Sequence, residues 1–116
     1  MKLQEVAALL DARVLSCEEL LDKTVDNVFC TDVMADVLAY ASSHTVLITR
    51  LLNFSVVRSS MMTDIHCVVF SDSTTPEPAI LNLAETHEIV LMATETSMFD
   101  ATERLLEAGL SDAAWV

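Results

Sequence analysis

The chain has 116 residues, of which 53% are apolar and only 5% aromatic, with 18 acidic side chains against 6 basic ones and a formal net charge of −12. That length suits one domain with an aliphatic core, and the apolar excess points to more hydrophobic surface than a monomer hides, hence to an oligomer. No basic stripe exists to displace counterions from phosphates, so DNA and RNA binding are set aside, the more so because residues 59–116 carry 10 acids and Arg104 as their one base.

Leu3, Val6 and Leu10 recur at helical spacing and predict a first helix over about residues 2–11. The N-terminus shows this pattern rather than a basic leader with an apolar h-region, and no apolar run approaches the roughly 20 residues of a bilayer helix. A cytoplasmic location without membrane association is therefore expected. Arg13–Ser16 reads as a short strand, and 17–26 as a polar connection with a helical turn near Glu18–Leu21. Cys17, Cys30 and Cys67 are odd in number and lack C-x-x-C spacing, which argues against a disulfide scaffold and against a metal or cluster site. Burial as small hydrophobes is expected for these thiols, with Cys17, at a strand end, the one that could be exposed and reactive.

Asn27–Thr31 predicts a second strand, and Asp32 stands where an N-cap would open a helix running to about Ala41. That helix is apolar on two sides, with Val33, Val37 and Tyr40 on one stripe and Met34, Leu38 and Ala41 on another, so one face suits the sheet and the other either a second subunit or further packing within the chain. Thr45 to Phe70 is the clearest unit. A β-rich run at 45–49, an N-cap at Asn53, helical spacing of Phe54, Val57 and Met61, and a second run at 65–70 make a βαβ crossover.

The loop SDSTTPEP follows, its prolines suited to the first turn of a helix over 77–87. Ile89–Met92 predicts the last strand, Ser97 and Asp100 are spaced as a capping box, and Gly109 stands where the final helix should end. Residues 110–116 are expected to fray. The succession predicts a single three-layer α/β/α domain around a mainly parallel sheet of about five strands.

Ligands on such sheets bind beyond the carboxyl ends of the strands. Those ends are polar here, and they define a candidate ligand-binding set of Asp32, Thr49, Arg50, Asn53, Arg58, Ser71, Thr94 and Thr96. Hydroxyls and helix N-termini would hold a phosphate or other anion, with Arg50 or Arg58 as counter-charge. The same residue types cap helices in proteins that bind nothing, so capping stands beside ligand binding as an account of them. No catalytic signature is present. With one glycine the chain has no phosphate loop, no G-x-G-x-x-G and no nucleophile elbow, and neither a cofactor nor an enzymatic activity is expected.

The succession VFCTDVMADVLAYA, VLIT, LNFSVVRSSMMTDIHCVVF, P-x-P-AILNLAE and IVLMATETSMFDATERLLEAGL resembles the DRTGG domain family across nearly the whole chain. It is most similar to short stand-alone members, some of them encoded near iron-only hydrogenase genes. Other members sit beside CBS domains in pyrophosphatases that sense adenine nucleotides, and the amino-terminal domain of HPr kinase has a similar fold. The resemblance implies a homodimeric, non-catalytic module that senses a small anionic ligand or nucleotide, or alternatively an accessory factor contacting a redox-system protein. Arg58 and Asp64 fit the family pattern, whereas the loop after Phe70 carries Ser-Asp-Ser-Thr-Thr where the pattern has glycines.

Overall fold

The computed structural model describes residues 1–114. The elements run α1 (Leu3–Leu10), β1 (Arg13–Val14), β2 (Asn27–Cys30), α2 (Met34–Tyr40), β3 (Thr45–Thr49), α3 (Phe54–Met62), β4 (Cys67–Phe70), α4 (Pro78–Thr86), β5 (Val90–Ala93), α5 (Met98–Glu107) and β6 (Ser111–Asp112). A short 3-10 turn, Glu18–Leu20, bridges β1 and β2. The predicted mixed α/β architecture is present.

Strands β3, β4 and β5 are buried along their whole length on both sides. Alternate residues therefore feed two separate cores. Val46, Ile48, Cys67, Val69, Val90 and Met92 pack beneath Leu3, Val6 and Leu10 of α1 and Ala101 and Leu105 of α5. Leu47, Val68, Phe70 and Leu91 pack beneath Val37, Val56, Val57, Ile80 and Ala84 of α2, α3 and α4. Each such aliphatic or Phe side chain contributes roughly 1.5–3 kcal/mol on burial, so covering both faces is what stabilises the sheet.

The strand order is β1-β5-β4-β3-β2-β6. Chain order steps one strand at a time from β2 to β5, and the crossovers place α2, α3 and α4 on one face. α5 then returns across the opposite face, beside α1, to deliver β6 next to β2. The sheet has six strands rather than about five. The sixth comes from residues expected to fray: Ser111 donates its N–H to Asp26 and Ala113 to Val28, while Leu110 lies buried in the α1–α5 core. Residues 115–116 of that expected tail lie outside the described residues. β1 pairs antiparallel with β5, with Arg13 opposite Ala93 and Val14 opposite Met92.

Helix ends show how a chain with one glycine turns its corners. Gly109 takes a left-handed conformation after α5 (φ 115°), but Asp11, Asp64 and Glu88 take it after α1, α3 and α4. Left-handed backbone opposes a Cβ, and Glu lacks the short polar side chain that eases it for Asp. Glu88→Gly is expected to raise stability by about 0.5–1 kcal/mol, the relief of strain exceeding the added freedom of the unfolded chain. Leu110→Ala is expected to lower it by about 2–3 kcal/mol, where a frayed tail would leave it unchanged. Urea denaturation of both variants measures these differences.

Candidate functional site

After β4 the chain leads through residues 71–77 to α4 on one face, and after β5 through residues 94–97 to α5 on the other. Connections that part in this way open a crevice at the strand ends, the usual ligand position on open parallel sheets. A cleft of about 560 Å³ lies there. Ser73, Thr74 and Thr75 line it from the first connection and Thr94, Glu95 and Thr96 from the second. Its remaining wall is the C-terminal turn of α1 with Leu10 and Asp11, Arg13 of β1, which lies opposite Ala93, and Arg104 of α5.

The wall is held by the capping of α1. The last four carbonyls of a helix lack intrahelical donors. Here Ala7 and Ala8 accept from the backbone of Ala12 and Asp11, Leu10 accepts from the Thr94 hydroxyl at 2.6 Å, and Leu9 accepts from the Arg104 guanidinium at 3.4 Å. Thr96 lies 3.4 Å from the same guanidinium nitrogen. Arg13 and Arg104 are exposed residues of the cleft lining, and neither is in an ion pair among the described residues.

The two connections are joined to one another beneath the cleft. Asp72 and Ser73 donate backbone N–H groups to the carbonyls of Thr96 and Thr94. The Asp72 carboxylate accepts from the Met98 N–H at 3.0 Å and from the buried Ser71 hydroxyl at 2.8 Å. Together with Ser97, which accepts from the Asp100 N–H, it fills the N-terminus of α5, so the anion position of that helix is already taken by the protein's own carboxylate.

The sequence-derived set is divided among several places. Thr94 and Thr96 reach the cleft, and Ser71 lies just beneath it. Asn53 caps α3, accepting from Ser55. Arg58 is exposed on α3, away from the cleft lining. Asp32, Thr49 and Arg50 form a closed cluster at the ends of β2 and β3. The Asp32 carboxylate accepts from the Thr49 hydroxyl at 3.0 Å, the Arg50 N–H at 2.7 Å and two guanidinium N–H groups at 3.0 and 2.9 Å. Asp32 thus does not cap α2 as expected; the Thr31 hydroxyl accepts from Val33 instead, because the denser donor set of Arg50 draws the carboxylate across to β3. Burial pushes the Asp32 carboxyl up, but the hydrogen bonds from Arg50 and Thr49 outweigh it and hold it below the ordinary value.

Cys17 is another correction. It is buried rather than exposed, and burial, with Glu85 and Glu19 nearby, pushes its thiol up to about 11. Cys67, wholly enclosed, is pushed up to about 12. Neither holds a thiolate at neutral pH. What sequence patterning missed is Arg13 and Arg104: one lies on an antiparallel edge strand and the other is the seventh residue of a helix, and nothing in their spacing brings them to one wall.

Fold and cleft define a mainly parallel α/β domain with a crevice where the connections diverge. The DRTGG domain model matches residues 5–108, and the chain belongs to that family. No curated protein matches the sequence significantly. Among solved structures, the chain is similar to the CBS and DRTGG domains of the regulatory region of a Clostridium perfringens pyrophosphatase, determined in complex with its activator, diadenosine tetraphosphate. The TM-score is 0.78 at 15% identity, and the likeness covers 96% of this chain but 48% of that one. In the loop after Phe70 the backbone is left-handed at Asp72 (φ 58°) and Ser73 (φ 61°), although neither is glycine.

The Asp32 cluster has a defined pH signature. A carboxyl whose folded pKa is depressed contributes stability above its unfolded pKa, near 3.8, and loses it as pH falls through the folded value. Asp32→Asn is expected to be less stable than the parent at neutral pH, with the difference constant down to about pH 5 and closing below the ordinary carboxylate range. Urea midpoints for both proteins across pH 3–7 measure it.

Proposed function

We propose that this DRTGG domain is a non-catalytic regulatory module that senses a small ligand bearing an anionic group in the cleft between the β4 and β5 connections. The observation that carries this reading is the pair of arginines, Arg13 and Arg104, lining one cleft in a chain of net charge −12 with neither in an ion pair among the described residues. Arginines so placed are the ordinary means of recognising carboxylate or phosphate. Thr94 and Thr96 add hydroxyl groups from the strand-end set. The activator bound by the pyrophosphatase regulatory region is consistent with a sensing role for a family member.

Sensing as a homodimer belongs to the same proposal. The adjacent helices α2 and α3 leave Val33, Tyr40 and Met62 at 56%, 49% and 73% exposure, more apolar surface than a monomer usually shows on one side. The same face favours a second reading, an accessory factor that contacts a redox-system protein and binds no nucleotide. No helix among the described residues is long and apolar enough to cross a membrane, and a cytoplasmic location remains part of the proposal.

A thermal-shift screen over nucleotides, phosphates and carboxylates, amino acids included, tests the sensing role. A true ligand at 100 times its dissociation constant stabilises by roughly 2.7 kcal/mol and moves the midpoint by several degrees. That shift is expected to vanish in Arg104→Ala. No shift over the panel would discard the sensor in favour of the accessory factor. Light scattering at micromolar concentration is expected to give twice the monomer mass, and Leu38→Asp with Met62→Asp to halve it.

A further inference from the structure

We infer that the cleft takes a zwitterion, a small amino acid or comparable compound carrying an ammonium group beside its carboxylate or phosphate, rather than a simple anion or a nucleotide. This deepens the sensor reading and rests on it. Asp11 and Glu95 line the cleft together with Arg13 and Arg104, and all four side chains belong to exposed residues. None of the four is in an ion pair, the ion pairs among the described residues being Asp32 with Arg50 and Asp26 with His44. Two cationic and two anionic residues thus line the same cleft without an ion pair between them.

The backbone adds to the negative side. α1 points its C-terminus into the cleft wall, and that end of a helix attracts cations. Arg104 is already turned partly toward it through the Leu9 carbonyl. The compensating positive end, the N-terminus of α5, is filled by Asp72 and Ser97. A bare phosphate would therefore meet two guanidiniums but also two carboxylates and a helix C-terminus. A zwitterion meets both sets: its carboxylate or phosphate lies with Arg13 and Arg104, and its ammonium with Asp11, Glu95 and the end of α1.

The rest of the lining selects against a nucleobase. Leu10 and Ala93 are its apolar members, and none of the lining residues is aromatic, so a base would have no ring to stack on. The hydroxyls of Thr74, Thr75 and Thr96 favour a polar side chain on the ligand.

The test is a thermal-shift and calorimetry series on the full chain, using the common amino acids and phosphoethanolamine. Each is set against its hydroxy acid, which lacks the ammonium, and its decarboxylated amine, which lacks the anion. The expected result is a shift of several degrees with one or more zwitterions and none with either matched half. Arg104→Ala and Glu95→Gln should each weaken binding by about tenfold or more, since each removes one charged contact. Both side chains are exposed, and unchanged melting of the free variants shows that the fold is intact. If acetyl phosphate, pyrophosphate or a nucleotide stabilises the protein through Arg104 while Glu95→Gln has no effect, the zwitterion inference fails and the sensor reading survives. If no compound in either series shifts the midpoint, both fail together.

Discussion

The constraint on which this structure depends is a sheet that is apolar on both faces. β3, β4 and β5 offer no polar side for water, so two layers of helices must cover them, and the chain has to deliver helices to opposite faces. Three crossovers stepping in one direction supply one layer. The second needs α5 to leave β5 on the other side, and that reversal is what separates the connection after β4 from the connection after β5. The cleft is thus a geometric product of burying the sheet.

Around that opening, residues that line the cleft also make the structural hydrogen bonds. Thr94 ties the end of α1 to the end of β5, and Arg104 holds the adjacent carbonyl while lining the cleft. Asp72 fills the N-terminus of α5 and joins the two connections. A ligand contacting Arg104 would therefore bear on the packing of α1 against α5, a direct route from binding to a change in the outer layer. Regulation by such a domain needs a ligand that prefers one arrangement of these elements over another.

Much of the fold was legible because hydrophobic periodicity is a local signal. The 45–70 unit, the caps at Asn53 and Ser97, the proline at the start of α4 and Gly109 after α5 all follow from neighbouring residues, and all are present. The misplaced features are those decided by distant partners. β6 is two residues long and has no pattern of its own; it exists because α5 brings it to an open edge of β2. Asp32 has the spacing of a cap but finds Arg50 across 18 residues. Cys17 follows a polar strand end, yet α4 folds over it and Glu85 accepts its N–H.

The candidate site divides in the same way. The alternation of short apolar runs with amphipathic segments sufficed to determine a parallel α/β domain and to direct attention to the strand ends, because burial patterns repeat every two or four residues along the chain. Which strand ends open, and which charges meet there, was decided only by tertiary structure. The order of strands sets where the connections part, and Arg13 and Arg104, 91 positions apart in the chain, meet at one wall through packing alone. Long-range electrostatics has no period, so it leaves no trace in the sequence until the chain is folded.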